Sequence, residues 1–577
     1  MSQSTTMAAS GTVAVSGTTV VSGTTAASAD GEAENEQMRQ GASAYGHGAF
    51  QNRIFYYGIV ALVVLLCHNR VFAFISPPVD HWCSPTKQFA NMSVPVWKNI
   101  AIPVDEADHY STCLVYANPG HVNDTTVYPC ASWDYDTSSK LQSLRSFWNL
   151  VCSRTWLVTL AEAVYMSGAL FMMPVTGYAA DTMGRQPVII GAVLGLVLSS
   201  AASCSAYSFV IYLVARFVSA ACSSTVHVLI VILLFETIPL EFRTFYIGFV
   251  CSVGVVVADA FFLLLTPLQK HVSWRFMQVI IVAPTILLLT ARSVVYESPI
   301  WLISTYRMRD AEAVMLRAAR LNGVRRNEAE RSVDAIMADL SRAGVNLSMS
   351  VWETFRSGSI RVRAISVFFS NFTVMFAYFV VVGSSHLQGQ GVLKIASVAV
   401  LVPSYLAMYL ALNFCGRQKL LMILLALLAG VTALCGVSIY AHPVEVSYVL
   451  VVAAKATASV LIPTNYLYIV ELFPTTVRSA VLCGAYTCGR VGAVLAAFVV
   501  QLKSVGREDL GFAIAAFGAL TNIVVVMQLP ETSVGTEATG ELKKRKDLLN
   551  LMQRSLAPLP SKDQRTRSKK ALSGTTN

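Results

Sequence analysis

The chain has 577 residues, of which 54% are hydrophobic and only 13% charged, about half the charged share of ordinary soluble domains. That composition excludes a string of soluble domains and points to membrane spans, each of which needs roughly 20 apolar residues. The formal net charge of +10 would suit a nucleic-acid binder, but the basic residues stand in connecting segments and the C-terminal tail. A cytoplasmic membrane face collects them in that way, so no nucleic-acid partner is expected.

Residues 1–52 are mostly Ser, Thr, Gly and Ala with a few acids, which predicts a disordered tail. The first apolar run is 55–74. Nothing before Phe55 resembles the apolar stretch of a cleavable signal peptide, so this span is expected to act as its own insertion signal. A polar segment, 76–155, follows. Eleven further runs are read near 156–179, 187–206, 209–235, 245–267, 276–295, 366–385, 392–412, 419–440, 446–469, 480–501 and 510–529. These twelve spans form a first half, 53–296, and a second half, 366–530. Between them lies a linker, 297–365, with eleven Arg among eight acids; DAEAVMLRAARLNG within it has helical spacing. A basic tail, 531–577, read as disordered, ends the chain.

An even number of spans places both termini on one side, and the Arg-rich linker and KKRKD (543–547) make that side cytoplasmic. Segment 76–155 is then extracellular. It holds Cys83, Cys113, Cys130 and Cys152 and two glycosylation sequons, at Asn91 and Asn123. Four cysteines in an oxidising compartment suggest two disulfides, with three possible connectivities.

Three features recur in register. GYAADTMGRQ (177–186) after span 2 is echoed by LNFCGRQ (412–418) after span 8, with Asp181 and Asn413 232 residues apart. ETIPLEFR (Glu236, Pro239, Arg243) after span 4 is echoed by ELFPTTVR (Glu471, Pro474, Arg478) after span 10, 235 residues on. Glu297 and Glu531, after spans 6 and 12, are 234 residues apart. Three such spacings imply a duplicated six-helix half, an arrangement that transporters use to hold substrate between halves. Charged residues at these helix ends are suited to pair across the halves when the cytoplasmic side closes.

With these motifs in place, the sequence resembles the major facilitator superfamily, whose signature after span 2 stands here as Gly177, Asp181, Gly184 and Arg185, with Gln186 where a basic residue is usual. It resembles more narrowly the organic cation, organic anion and carnitine transporters. PPVDHWC (77–83), CASWDYDTSSKLQSLRSFWNLVCSRTWL (130–157), YESPIWL (296–302), YLYIVELFPTTVRS (466–479) and LPET (529–532) carry that likeness. The resemblance implies an all-α membrane protein with twelve transmembrane helices in two pseudo-symmetric halves, moving small organic ions by alternating access. It also implies a location expected to be the plasma membrane. A sugar porter is the nearest alternative, but span 7 reads SNFTVMFAYFVVVG, without the Gln-Gln element usual there, and the Cys-bearing loop is foreign to that group. A non-transporting receptor of the same fold is the remaining alternative. No enzyme motif competes, and no cofactor or metal is expected.

Ionisable residues within spans indicate which charge is carried, because charge at that depth is costly and usually functional. Arg490 stands in span 11 and Lys455 in span 10. The resemblance implies Asp at the Arg490 position in cation carriers and Arg in anion and carnitine carriers; a carboxylate usual in span 8 of cation carriers falls on Leu401. An organic anion or a carnitine-like zwitterion is therefore favoured over a cation, with Arg490 and Lys455 on its carboxylate. Asp259 in span 5 would meet an ammonium group or, with Glu162, pair with Arg490. Tyr378, Phe379, Tyr405, Tyr466 and Tyr486 are the candidate aromatic walls.

Overall fold

The structure, a computed structural model, describes residues 45–104, 109–120, 126–136, 143–239, 242–343, 358–384, 392–441, 444–473, 475–502 and 506–532. Asn123 and Pro474 lie outside the described residues, as do most of both tails.

Among the described residues, twelve helices are long and apolar enough to cross a membrane. Spans 1 to 6 are Ala49–Ile75, Cys152–Met183, Arg185–Cys204, Phe209–Thr237, Arg243–Leu265 and Trp274–Val294. Spans 7 to 12 are Ile360–Gly383, Ile395–Phe414, Arg417–Ala441, Glu445–Leu472, Val477–Val500 and Glu508–Met527. Spans 2 and 11 pack together where the halves meet, as do span 5 and spans 8 and 10. Side chains such as Leu198, Phe414 and Phe517 point outward, the apolar coat that lipid requires.

Two spans are interrupted. Span 6 runs as α-helix to Val282, tightens to a 3-10 stretch at Ala283–Thr290 and resumes at Ala291; Pro284 lacks an N–H for the α-helical ladder. Span 8 breaks at Val400, between Ala399 and Leu401 and three residues ahead of Pro403.

The chain is ordered earlier than a tail over 1–52 would allow. Tyr45 is buried and donates to the Thr237 carbonyl at 3.2 Å, and Phe50 stacks on Tyr296 with centroids 5.9 Å apart. The reason lies in the linker: Asn322, after helix Met308–Leu321, accepts from the Phe50 backbone at 2.8 Å and donates to Tyr45 and Gly46 carbonyls. A polar, glycine-rich stretch thus acquires the partners that composition alone does not reveal.

On one membrane face, here the loop face, segment 76–155 forms two small antiparallel pairs. β1 (His81–Cys83) pairs with β4 (Trp133–Tyr135), and β2 (Leu114–Tyr116) with β3 (Val127–Pro129). Disulfides Cys83–Cys130 and Cys113–Cys152 tie these strands together, choosing one of the three connectivities. Helix Val94–Ala101 covers them, its buried Trp97 donating to the Cys83 carbonyl at 2.8 Å. Asn91 is exposed just before this helix. The repeated motifs gather at the opposite face, here the motif face.

Candidate functional site: a cavity between two charged closures

The duplicated sequence becomes duplicated hydrogen bonding at the motif face. Gly184 has φ +106°, a region open to glycine, and a Cβ there would come within 2.5 Å of the Glu297 carboxylate. That approach lets Glu297 accept from the Arg185 and Gln186 backbone N–H groups at 2.9 and 3.0 Å, capping span 3. Burial pushes the Glu297 carboxyl up, opposed by those N–H groups. In the second half Glu531 accepts from the Gln418 N–H at 3.2 Å beside Gly416, capping span 9. The Gln186 and Gln418 amides then reach the carbonyls of Val295 and Leu529 at 2.7 and 2.6 Å, a use for the glutamine that replaces the usual basic residue.

The motif charges also close this face across the halves. Arg185 meets Asp181 at 3.2 Å and Glu236 at 3.1 Å within the first half. Glu236 meets Arg478 of the second at 3.5 Å, while Asp181 accepts from the Ala480 N–H at 3.0 Å. Arg417 pairs with Glu471 at 3.4 Å and donates to Thr244 of the first half at 2.8 Å. Arg243 and Arg478, one from each half, lie over the same Phe235 ring at 4.1 and 4.8 Å. Gly177 permits the contact: a Cβ there would stand 2.9 Å from the Cys483 Cβ and 3.0 Å from the Ser479 carbonyl. Ile238, the residue before Pro239, ends span 4 in extended backbone, as the residue preceding a proline prefers. The exchange is not fully symmetric, because Asn413, the counterpart of Asp181, is exposed.

Above this closure lies a cavity of about 90 Å³. It is lined by Arg490, Tyr378, Phe379, Tyr405, Tyr466 and Tyr486, which the sequence had singled out, by His227, which reads from the sequence as a core histidine, and by Asn69, Met375 and Ile462, which it had not singled out. Tyr466 and Tyr486 stack with centroids 6.5 Å apart, and Tyr378 meets Phe379 edge-on at 5.4 Å. Tyr486 also bonds Ser224 across the halves at 3.2 Å. Arg490 is 6% exposed, with its guanidinium on the Tyr486 hydroxyl and the Met166 sulfur. Among the described residues no carboxylate pairs with it.

Two expected site residues stand elsewhere. Lys455 and Asp259 do not line the cavity; they pair with each other at 2.9 Å, across the halves. Asp259 also pairs with Arg70 in span 1. Glu162, the other carboxylate considered for Arg490, is 3.8 Å from Arg216. Arg216 itself is bound to the His68 carbonyl at 2.6 Å and lies 4.0 Å over the Tyr165 ring. Both alternative partners of Arg490 are therefore engaged by other cations: Arg70 of span 1 and Lys455 of span 10 hold Asp259, and Arg216 of span 4 lies beside Glu162.

Two six-helix halves around an internal cavity, with ion pairs crossing between them on both sides, define a transmembrane transporter of the major facilitator fold. The chain belongs to the family described as "Sugar (and other) transporter", whose profile matches residues 111–537. Its similarity to "Solute carrier family 22 member 6" of Rattus norvegicus is 28% identity over 492 residues, covering 82% of this chain and 88% of the relative. "Organic cation transporter protein" of Drosophila melanogaster is 26% identical over 510 residues, covering 84% and 90%. These relatives bear out the narrower likeness to organic ion transporters. Among solved structures, the proton:xylose symporter XylE bound to 6-bromo-6-deoxy-D-glucose aligns with TM-score 0.58 at 15% identity, covering 84% of this chain and 97% of that one. The human organic anion transporter MFSD10 aligns with TM-score 0.52 at 11% identity, covering 83% and 100%. Both likenesses are of fold.

Proposed function

We propose that this integral membrane transporter carries a small organic anion across the plasma membrane by alternating access, with Arg490 receiving the substrate's carboxylate or sulfate. The observation that carries this reading is the state of Arg490. It is buried on the cavity wall with a phenol and a thioether beside it, and the carboxylates that could neutralise it are paired to other cations. A guanidinium held in low dielectric favours an anionic ligand, and its planar fork suits a carboxylate. A carnitine-like zwitterion fits less well, since Asp259 is committed to Arg70 and Lys455. An organic cation would meet Arg490 with, among the described residues, no acidic side chain on the lining to offset it.

The motif face is cytoplasmic and the loop face extracellular, a reading supported by the Arg-rich linker on one side and the disulfides and the exposed Asn91 sequon on the other. The aromatic lining suits a ring-bearing substrate. At about 90 Å³ the cavity is below the roughly 150 Å³ that holds benzene in a packed protein core, so such a substrate enters only as the halves part.

The test is uptake in expressing cells across aryl carboxylates, carnitine-like zwitterions, quaternary amines and a hexose. Saturable carboxylate uptake is expected. Uptake of quaternary amines alone would replace the anion reading with the cation one, and hexose uptake with a sugar porter. Binding without flux in vesicles would make the protein a receptor.

A further inference from the structure

The three charges beside the cavity occupy one level. On span 1, Arg70 directly follows the lining residue Asn69; on span 5, Asp259 is four residues beyond the lining residue Val255. On span 10, which runs the other way, Lys455 is four residues before the lining residue Ser459. Each therefore lies just past the cavity in the direction of the loop face. One Asp259 oxygen takes Arg70 and the other takes Lys455 at 2.9 Å, and the Asp259 side chain is only 3% exposed. Arg70 and Asp259 belong to the first half, Lys455 to the second.

That division fixes what happens when the halves part at the loop face. The Arg70–Asp259 pair travels with the first half, whereas the Lys455–Asp259 bond must break. Lys455 is then an unpaired ammonium at the mouth of the cavity, where leaving a charge uncompensated is costly. An entering carboxylate makes the same charge-assisted hydrogen bond that Asp259 has given up. As the halves close, Asp259 returns, aimed by Arg70 and present at the high effective concentration of a tethered group. The entering anion is displaced inward, toward Arg490.

We infer that Asp259 is a positioning residue that competes with the transported anion for Lys455, converting capture at the loop face into delivery to the cavity. This rests on the anion reading above and adds to it a separate role for a carboxylate that never touches substrate.

The test is the concentration dependence of benzoate uptake, at measured surface levels, for wild type, Asp259→Asn, Lys455→Met and the double variant. Asp259→Asn removes the competitor and leaves Lys455 free, so KM should fall about fivefold while the maximal rate falls at least as much, because the anion is held at the mouth. Lys455→Met should raise KM, and in the double variant the lowered KM of Asp259→Asn should vanish. A salt bridge that only supports the fold would lower the rate without lowering KM. The inference is overturned if Asp259→Asn leaves KM unchanged or raises it, or lowers it equally with Lys455 absent. Should Asp259→Asn fail to reach the surface, an unchanged KM in Lys455→Met overturns it alone. Wild type that ignores benzoate and other carboxylates would remove the anion reading and this inference together; benzoate uptake without the KM split would remove this inference only.

Discussion

Arg478 of the second half reaches Glu236 of the first at 3.5 Å, and neither side chain is more than 3% exposed. The same Glu236 oxygen is 3.1 Å from Arg185, so one carboxylate serves guanidiniums of both halves. Removing a partner from a buried pair costs about 3–5 kcal/mol, far more than an exposed pair at a helix end. Glu236→Gln keeps side-chain volume and Arg478→Gln keeps a polar amide in place of the charge, and each is expected to lower turnover at least about tenfold, equivalent to about 1.4 kcal/mol, at near-normal surface levels. Surface labelling with uptake checks this; wild-type turnover in both would leave the network with no part in closure.

Gly177 gives a steric counterpart to that electrostatic test. A methyl group there would press on the Cys483 Cβ at 2.9 Å, the Ser479 carbonyl at 3.0 Å and the Ala480 Cα at 3.1 Å, all on the opposite half. Overpacking of this kind costs about 1–3 kcal/mol. Gly177→Ala is expected to slow transport while raising thiol labelling of Cys483, now buried, from the motif face. Unchanged labelling and unchanged uptake would mean that the halves absorb the methyl without parting.

Arg490 separates charge from geometry. Arg490→Lys keeps the charge and loses the fork, so affinity for an aryl carboxylate is expected to weaken by about 1–3 kcal/mol. Arg490→Asp is expected to abolish anion uptake, and uptake of quaternary amines by that variant is the accompanying measurement. Anion uptake at wild-type affinity in both variants would place the carboxylate elsewhere.

The loop disulfides close segments of 47 and 39 residues, lengths at which a cross-link contributes about 2–4 kcal/mol. Non-reducing peptide mapping is expected to return Cys83 with Cys130 and Cys113 with Cys152, and no other pairing. Cys113→Ser together with Cys152→Ser is expected to lower the amount of protein at the surface.

The architecture was legible because apolar runs and a repeated register carry it. Glu297 and Glu531 could be paired from spacing alone, and each caps the helix its counterpart predicts. The cavity walls were legible in part: Tyr378, Tyr466 and Tyr486 are conspicuous in apolar helices, whereas Asn69 and His227 look like ordinary buried polar residues until the helices are placed. Lys455 and Asp259 were picked out as intramembrane charges, but their bond depends on how spans 5 and 10 of different halves lie against each other. Arg70 went unnoticed for a related reason. Five residues from the end of span 1, an arginine reads as a side chain stretching to the interface, and only tertiary packing turns it inward.

The clasp made by Asn322 bears on how the protein is made. It accepts from the Phe50 backbone 272 residues upstream and donates to the Tyr45 and Gly46 carbonyls, so the start of the first helix is completed by a residue that leaves the ribosome after six spans have been synthesised. A nascent chain stopped short of Asn322 holds its first half in the membrane with the opening turn of span 1 unfastened, and one long enough for Asn322 to clear the ribosome can fasten it. The first half therefore matures only when the linker arrives, which makes the linker a part of that half rather than a spacer between two finished units.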